Sequence, residues 1–399
     1  MKLMFTEMKR ILKNPIFWIT VVLIFVFIQS QFGSELNMSK MNRPLPNQEN
    51  YGMTKTNDMA TIRENAMGHL LQEYSINSYT TYPYGFYRDI ELNKEKNEQI
   101  SKVISALSGI SLEDIKKLQN DSGTYQAKPD DKIFNPKVTD EQFIELMDKV
   151  DELLGGGSVY SKKLISSRFG ERPKTYDEAV KDYELMIKKD KISGAYARVF
   201  CDYAGIVIGI IPVFLAVAFW FQDKRSKCED LLFTRSVSSS KLIISRYLAL
   251  LILLSIFLMA IASYYNLQII KDFGWNKTNP LYFYGYTLIW LMPTLMVVLS
   301  LGIFSTVATN SPLGILVMMI WWFLDVMKGA RSIDGGYGHS LVLRHNIVGN
   351  TQLYLNNKNM IFINRGIYVL LAIVILFISM KIYDLKREGE VFVYGIYKK

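Results

Sequence analysis

Long apolar runs divide this 399-residue chain, and the polar stretch 32–199 separates the first run from the second. An apolar run of about 18 residues or more is long enough to cross a bilayer as an α-helix. A polar insert between two consecutive spans must lie wholly on one side of the membrane. The pattern therefore predicts an α-helical integral membrane protein with a large domain on one face.

Six apolar segments are predicted to cross the membrane. They are Pro15–Gln29, Tyr203–Phe221, Leu242–Tyr264, Tyr284–Val307, Leu313–Val326 and Gly366–Tyr383. The first and the fifth are short as drawn, since a crossing helix needs about 17–25 residues. The first gains length from Ile11 and Leu12. The fifth carries Trp321 and Trp322, which suit either the membrane interface or a packed core.

This pattern divides the chain into three predicted regions. Residues 1–31 contain an interfacial helix and the first span, residues 32–199 form an extracellular domain, and residues 200–399 form a membrane domain with the other five spans. Within the membrane domain, residues 222–241 form a cytoplasmic link and residues 328–364 form an external link.

Basic residues beside the spans predict the orientation of the chain, because cytoplasmic loops carry an excess of Lys and Arg. The basic groups are Lys2, Lys9, Arg10 and Lys13 before the first span, Lys224, Arg225, Lys227, Arg235 and Lys241 after the second, and Lys381, Lys386, Arg387, Lys398 and Lys399 after the last. Six spans place all three groups on one side, so both termini are predicted to be cytoplasmic. The net charge of +9 then reflects basic loops at an anionic leaflet rather than nucleic-acid binding.

The first residues of the chain predict an amphipathic helix that lies in the membrane interface. Its apolar face comprises Met4, Met8, Ile11 and Leu12. The alternative is a plain basic flank of the first span. Near the inner end of the third span, Arg246 is expected to extend its side chain towards the interface.

The region between the first two spans carries helix-start signals, in which a Ser or Thr precedes an acidic or amide residue by three positions. The pairs are Thr139 with Gln142, Thr175 with Glu178, and Ser111 with Asp114. They predict a helix-rich domain, and the helix after Thr175 is expected to run on towards the second span. The tyrosine-rich stretch Tyr74–Tyr87 favours a packed core or contact with the membrane interface, with a binding surface as the alternative.

No motif in the chain predicts catalysis. There is no Gly-x-x-x-x-Gly-Lys-Ser/Thr loop and no His-Glu-x-x-His helix, so neither nucleotide hydrolysis nor a zinc site is expected. The three histidines are His69, His339 and His345, and the last two are expected to be solvent-exposed in a glycine-rich link. We therefore predict that the chain is not an enzyme and holds neither a metal nor a cofactor.

Four residues are candidates for a transport pathway or gate. Asp202 lies at the start of the second predicted span and Asp325 at the end of the fifth, both near the outer interface, and a solvated helix end is the alternative for both. Pro212 and Pro293 lie within spans, where proline removes a backbone donor and bends a helix. The rarity of charge within the spans disfavours a proton-coupled carrier and suits an amphipathic or apolar cargo.

The link between the second and third spans begins with charged residues, continues through a short apolar patch and ends in a serine-rich turn. The residues that carry this pattern are Glu229, Asp230, Leu231, Leu232, Phe233, Val237, Ser238 and Lys241. The serine-rich turn is suited to cap the third helix. In this link and in its topology, the chain resembles the permease subunits of type-2 ABC transporters. Ser236 stands where proline is common in that family.

The resemblance implies six spans in a bacterial cell membrane, a second permease subunit that is identical or related, and a separate cytoplasmic ATPase dimer that binds ATP and magnesium. It also implies that Glu229, Asp230, Leu231, Leu232, Phe233 and Lys241 couple the chain to that ATPase. The external link 328–364 is implied to fold partly back against the membrane.

The first hypothesis is therefore the transmembrane subunit of an ATP-driven exporter that forms the substrate pathway as a dimer. Its expected cargo is an amphipathic peptide, an antibiotic or a lipid-like molecule, with sodium ion as an alternative cargo. The rival hypothesis is a membrane sensor or assembly protein whose extracellular domain binds a ligand.

Overall fold

A computed structural model describes residues 2–38, 41–83, 87–120, 135–226, 237–329 and 336–388. The chain divides into two compact units. One combines Met1–Arg43 with Val180–Lys399 and is called the helical unit; the other is Pro44–Ala179 and is called the polar unit.

The helical unit begins with two helices separated by a short turn. They are α1 (Lys2–Leu12) and α2 (Pro15–Ile28). Asn14 caps α2 by accepting a hydrogen bond from the Ile16 amide, and Pro15 fits the first helical position because no partner exists there for its missing N–H. One π-helical turn, Gln29–Gly33, continues α2 into α3 (Ser34–Met38).

The polar unit is built from helices around its own hydrophobic core. In chain order its elements are β1 (Met53–Lys55), α4 (Met59–Ile76), β2 (Tyr79–Thr81), β3 (Arg88–Ile90), α5 (Lys94–Ser108), α6 (Leu112–Asn120), α7 (Asp140–Leu153), α8 (Ile165–Phe169) and β4 (Glu171–Pro173). Strands β1 and β4 pair antiparallel with Thr54 opposite Arg172, and β2 and β3 pair with Thr80 opposite Asp89. The core contains Met67, Leu70, Ile104, Phe143 and Met147.

All three predicted helix starts are confirmed. Thr139 and Gln142 form a reciprocal capping box at α7. The Thr175 hydroxyl accepts from the Glu178 amide while the Glu178 carboxylate accepts from the Thr175 amide, and the Ser111 hydroxyl accepts from the Asp114 amide. Each pair satisfies a backbone N–H that the first helical turn leaves without a partner.

The remaining elements return to the helical unit. They are α9 (Tyr176–Lys189), α10 (Lys191–Ile208), α11 (Ile211–Arg225), α12 (Ser239–Phe273), α13 (Pro280–Thr309), α14 (Leu313–Gly329) and α15 (Thr351–Glu388). The helix after Thr175 continues towards the second apolar segment with one break, since α9 stops at Lys189, Lys191 adopts a positive φ of 55° and α10 begins there. This break leaves Asp190 at the start of α10.

Five helical segments in the described chain are long and apolar enough to cross a membrane, as in a helical membrane protein. They are Pro15–Leu36, Lys191–Asp223, Ser239–Phe273, Pro280–Thr309 and Thr351–Glu388. Each extends beyond the predicted apolar run, because polar residues continue the helix past its apolar core. The predicted fifth span corresponds to α14, a shorter apolar helix.

Helix α13 lies at the centre of the helical unit and packs against α10, α11, α12, α14 and α15. Its buried face includes Trp290, Leu295, Leu299 and Ile303. Gly302 allows α11 to approach closely, since a Cβ built there would lie 2.9 Å from the Ala216 side chain. The central helix therefore connects most of the apolar helices of this unit.

Candidate functional site

Two clusters of buried charge stand out in the helical unit. The first is called the N-terminal cluster and comprises Glu7, Arg10, Asp223 and Arg246. These residues come from α1, α11 and α12, so the cluster joins the first helix of the chain to the two helices that flank the predicted cytoplasmic link.

Arg246 is at the centre of the N-terminal cluster. Its Nε lies 3.2 Å from a carboxylate oxygen of Glu7, and one of its terminal nitrogens lies 2.5 Å from Asp223. The guanidinium also lies over the Trp220 ring at 4.9 Å from its centroid. The side chain is 3% exposed, so the expectation that Arg246 extends to the interface is wrong. Two carboxylates compensate the buried charge instead.

Arg10 completes the N-terminal cluster from α1. It contacts Asp223 at 2.5 Å and Glu7 at 3.5 Å, and its guanidinium lies over the Phe219 ring. Two arginines and two carboxylates give a cluster with no net formal charge. The helix predicted for the first residues is confirmed, and its place in the membrane interface stays a prediction. Glu7 and Ile11 are the buried residues of this helix.

The N-terminal cluster fixes both ends of the predicted coupling link. Asp223 lies near the end of α11 and Arg246 lies two turns into α12, while the Arg387 guanidinium donates to the Val237 carbonyl at 2.7 Å. The predicted serine cap is confirmed, because the Ser238 hydroxyl accepts from the Lys241 amide. The Lys241 side chain is exposed at the start of α12. Five predicted coupling residues lie outside the described residues: Glu229, Asp230, Leu231, Leu232 and Phe233.

The second cluster is called the loop cluster, because it holds residues 336–350 against the helices. Its charged members on the helices include Asp190 and Arg198, which form a buried ion pair. The Arg198 guanidinium also donates to the Gly349 carbonyl at 2.6 Å and to the His345 ring at 3.2 Å. Arg198 is fully buried, so nearly all of its hydrogen-bonding capacity is used inside the protein.

Asp202 anchors the same loop one turn further along α10. Its carboxylate accepts hydrogen bonds from the backbone amides of His345 and Asn346, each at 2.6 Å, and pairs with the Arg344 side chain. The interpretation of Asp202 as a solvated helix end is wrong, because the residue is fully buried. Three donors replace the water that a carboxylate loses on burial.

Asp325 and Arg365 hold the part of the loop nearest to the apolar helices. Asp325 accepts from the Leu341 amide at 2.6 Å, and it is buried rather than solvated as expected for a helix end. Arg365 donates to the carbonyls of Ser340, Leu341 and Trp290 at 2.9–3.2 Å. These contacts tie the loop to α13, α14 and α15 at once.

The two loop histidines have opposite environments. His339 is exposed, as predicted, whereas His345 is fully buried against Arg198 and Tyr337, contrary to the prediction. Burial and the nearby Arg198 charge lower the pKa of His345 well below its usual value. The ring is therefore neutral at pH 7 and serves as a hydrogen-bonding partner.

The two clusters lie at opposite ends of the apolar helices. On α15, Arg365, which holds the loop, and Lys386, which donates to Asn310, are about 21 residues apart, or ~32 Å along a helix. Asp202 and Asp223 are also separated by about 21 residues, across α10, the turn after it and α11. The hydrocarbon core of a bilayer is about 30 Å thick. The charged groups therefore leave between them an apolar slab of membrane thickness.

The two predicted gating prolines differ in their effect on the helices. Pro212 is buried in the first turn of α11, directly after a turn at Gly209 and Ile210 that separates α10 from α11. Pro293 is buried inside α13, where it removes one backbone donor. The pathway or gating roles of Asp202, Asp325 and both prolines remain predictions.

The polar unit contains a buried carboxyl of its own. Glu73 accepts hydrogen bonds from the Tyr160 hydroxyl at 2.6 Å and from the Thr80 amide at 2.8 Å, and burial raises its pKa. In the tyrosine-rich stretch, Tyr74 and Tyr79 are buried in the core and Tyr87 is exposed. Within the described ranges, no group of three His, Cys, Asp or Glu side chains is placed to hold a metal ion.

Sequence patterns singled out Asp202 and Asp325 but missed Asp190, Arg198 and Arg365, as well as the contacts that unite the loop cluster, because the partners are far apart in the chain. Asp202 and His345 are separated by 143 residues. For Glu7 a signal was present, since it falls between Met4 and Ile11 on the apolar face of α1. An acidic residue at such a position indicates a buried cation nearby.

Comparison with protein-family models, with curated proteins and with solved structures finds no match to this chain.

Proposed function

We propose that this chain is the transmembrane subunit of an ATP-driven ABC exporter in a bacterial cell membrane. It forms the substrate pathway as a dimer with an identical or related permease subunit. Separate cytoplasmic ATPase subunits bind ATP and magnesium. The observation that carries the proposal is the N-terminal cluster, which joins α1 to the helices on both sides of the link 222–241.

A link that transmits force must be firmly attached to the elements that it moves. Asp223 and Arg246 lie on either side of the link and share one ion-pair network, so a push on the link acts on α11 and α12 together. Helix α11 follows α10, whose other end carries Asp202 and holds the loop 336–350. A displacement at one end of these helices would therefore alter the loop cluster at the other end.

The proposal includes six spans, with α14 as the fifth. Its 17 residues would extend over ~26 Å, which is at the lower limit for crossing a bilayer. Six spans place both termini in the cytoplasm and the polar unit outside. The expected cargo is an amphipathic peptide, an antibiotic or a lipid-like molecule, and sodium ion is an alternative cargo.

The test is to purify the tagged chain from its native host in mild detergent and to identify the proteins that accompany it. We expect a stoichiometric ABC ATPase whose association and ATP turnover are lost in the Leu231→Asp/Leu232→Asp variant. The matched control is Ile110→Asp/Leu112→Asp, which makes the same kind of change at exposed apolar positions of the polar unit. Retention of the ATPase by the link variant would overturn the proposal.

The rival hypothesis, a membrane sensor or assembly protein, is favoured by one observation. The polar unit has its own core of helices α4, α5 and α7, as a separate ligand-binding domain requires. A purification that yields no ATPase, even after crosslinking, would favour this hypothesis and direct attention to ligands of the polar unit.

A further inference from the structure

A basic cavity lies beside the junction of α1 and α2. Its volume is about 620 Å³, and the residues that line it include Lys9, Arg10, Lys13, Ile16, Ala218 and Gln222. The cavity therefore lies between the end of α1, the start of α2 and the last turns of α11. None of the functional roles proposed above uses it.

The charge of the cavity comes from two lysines. Arg10 belongs to the N-terminal cluster, in which two carboxylates balance two arginines. Lys9 and Lys13 are exposed, and neither has an acidic partner in the part of the chain that the structure describes. They are four residues apart and therefore lie on the same side of the chain. The negative end of the α1 dipole and the positive end of the α2 dipole meet at this junction and offset one another, so the lysines supply the net field. The cavity thus favours an anionic group.

An exposed apolar stripe continues from the cavity along α2. The stripe comprises Trp18, Ile19, Val22, Leu23 and Val26, all exposed. Their spacing of three and four residues places them on one face of the helix. Ile16, at the start of this face, lines the cavity. A pocket that favours an anion is therefore continuous with a surface that suits a hydrocarbon chain.

Gln222 also lines the cavity, from helix α11. Its side-chain oxygen is buried away from the open space, so it does not select the ligand. Selection therefore rests on charge. Phosphatidylglycerol carries a net negative charge, whereas phosphatidylcholine carries a positive choline beside its phosphate and is neutral overall.

We propose that this cavity is a binding site for an anionic phospholipid of the phosphatidylglycerol type. The phosphate lies between Lys9 and Lys13, and one acyl chain follows the stripe on α2. The site depends on membrane insertion of the chain and not on its being an exporter. Because Arg10 contributes to the wall of the cavity, the bound lipid would also contact the N-terminal cluster.

The test is native mass spectrometry of the full chain in detergent with equal amounts of phosphatidylglycerol and phosphatidylcholine that carry identical acyl chains. We expect the wild type to bind phosphatidylglycerol preferentially. In Lys9→Gln/Lys13→Gln, the preference should fall roughly 30-fold, since each lysine contributes roughly fivefold near an anionic lipid surface. The control Lys271→Gln/Lys277→Gln removes the same charge away from the cavity and should keep the preference.

Two further measurements make the result decisive. Soluble glycerol 1-phosphate, added in excess, should leave the bound lipid in place, because it lacks the acyl chain that the stripe holds. Gel filtration should show that both lysine variants keep the wild-type elution volume, since their side chains are exposed. Equal loss of preference in the two double variants, or displacement of the lipid by the soluble headgroup, would overturn the proposal.

Discussion

Replacing Arg246 with methionine tests the N-terminal cluster directly, because it removes the more deeply buried of the two cations that contact both carboxylates. Glu7 and Asp223 would then share Arg10 alone, in surroundings where the Arg246 side chain is 3% exposed and that of Glu7 is 7% exposed. Removing one partner of a buried ion pair costs about 3–5 kcal/mol. At roughly 2–4 °C per kcal/mol, the melting temperature should fall by about 10 °C.

The assay is thermal unfolding of the detergent-solubilised chain followed by tryptophan fluorescence. The matched control is Arg43→Met, which breaks an ion pair with Glu184 at 3.0 Å whose side chains are 63% and 61% exposed. An exposed pair contributes about 0–1 kcal/mol, so this variant should melt within a few degrees of wild type.

A second variant distinguishes charge imbalance from lost packing. Glu7→Gln/Arg246→Met leaves Arg10 paired with Asp223, and it should recover about 1–3 kcal/mol relative to Arg246→Met alone. If Arg246→Met shifts the melting temperature no more than Arg43→Met, or if the second substitution adds a further loss, the reasoning about a balanced buried cluster is refuted.

Two further predictions concern the loop cluster and the polar unit. Since burial lowers the pKa of His345, the unfolded chain binds a proton below about pH 6.5 that the folded chain does not, and stability should fall by about 1.4 kcal/mol per pH unit there. His345→Gln should remove this loss, so its melting-temperature deficit should narrow between pH 7.5 and 5.5; a constant deficit would contradict the assignment. Thr139→Ala should cost about 1 kcal/mol and speed hydrogen exchange in the first turn of α7 about fivefold, with exchange in α5 as the internal control. Unchanged exchange in that turn would show that the cap is dispensable.

The apolar helices and several of their starts could be predicted from the sequence because their causes are local. An apolar run fixes a helix by its length, and Ser238 or Thr139 caps a helix through residues only three positions away. The buried charges could not be predicted in the same way. The residues next to Asp202 in the sequence predict a solvated helix end. Only its contacts with residues 344–346 show that it holds the loop against α10.

The contrast between local and long-range contacts also explains why the prediction for His345 was wrong. Glycines around a histidine, as in Gly336–His339, are typical of a solvated loop, and that description holds for His339. Arg198 and Asp202, placed one turn apart on α10, each bind this segment at a different point. The loop is therefore buried by these polar contacts together with its own apolar residues, among them Leu341, Leu343 and Val348. The polar contacts join residues that are distant in the chain, which local sequence patterns do not reveal.

Stability alone does not account for the N-terminal cluster. Replacing a buried ion-pair network with apolar residues of similar volume is often neutral or stabilising, since burial of charge carries a large desolvation cost. Contacts between apolar side chains, unlike these ion pairs, have no preferred direction. The guanidinium of Arg246 meets Glu7 and Asp223 through different nitrogens, so only one placement of α1 against α11 and α12 satisfies both contacts.

We infer that the cluster specifies this arrangement. The contact of α1 with α11 and α12 through this cluster, here called the joint, is also either formed or broken. A shift of α11 by one helical turn, about 5.4 Å, would separate Asp223 from both arginines. A purely apolar joint would slide through such a shift with little change in energy. A joint with two distinct states at the base of the link is what a subunit driven by a separate ATPase would require, and the Glu7→Gln/Arg246→Met variant weakens that property while keeping the helices packed.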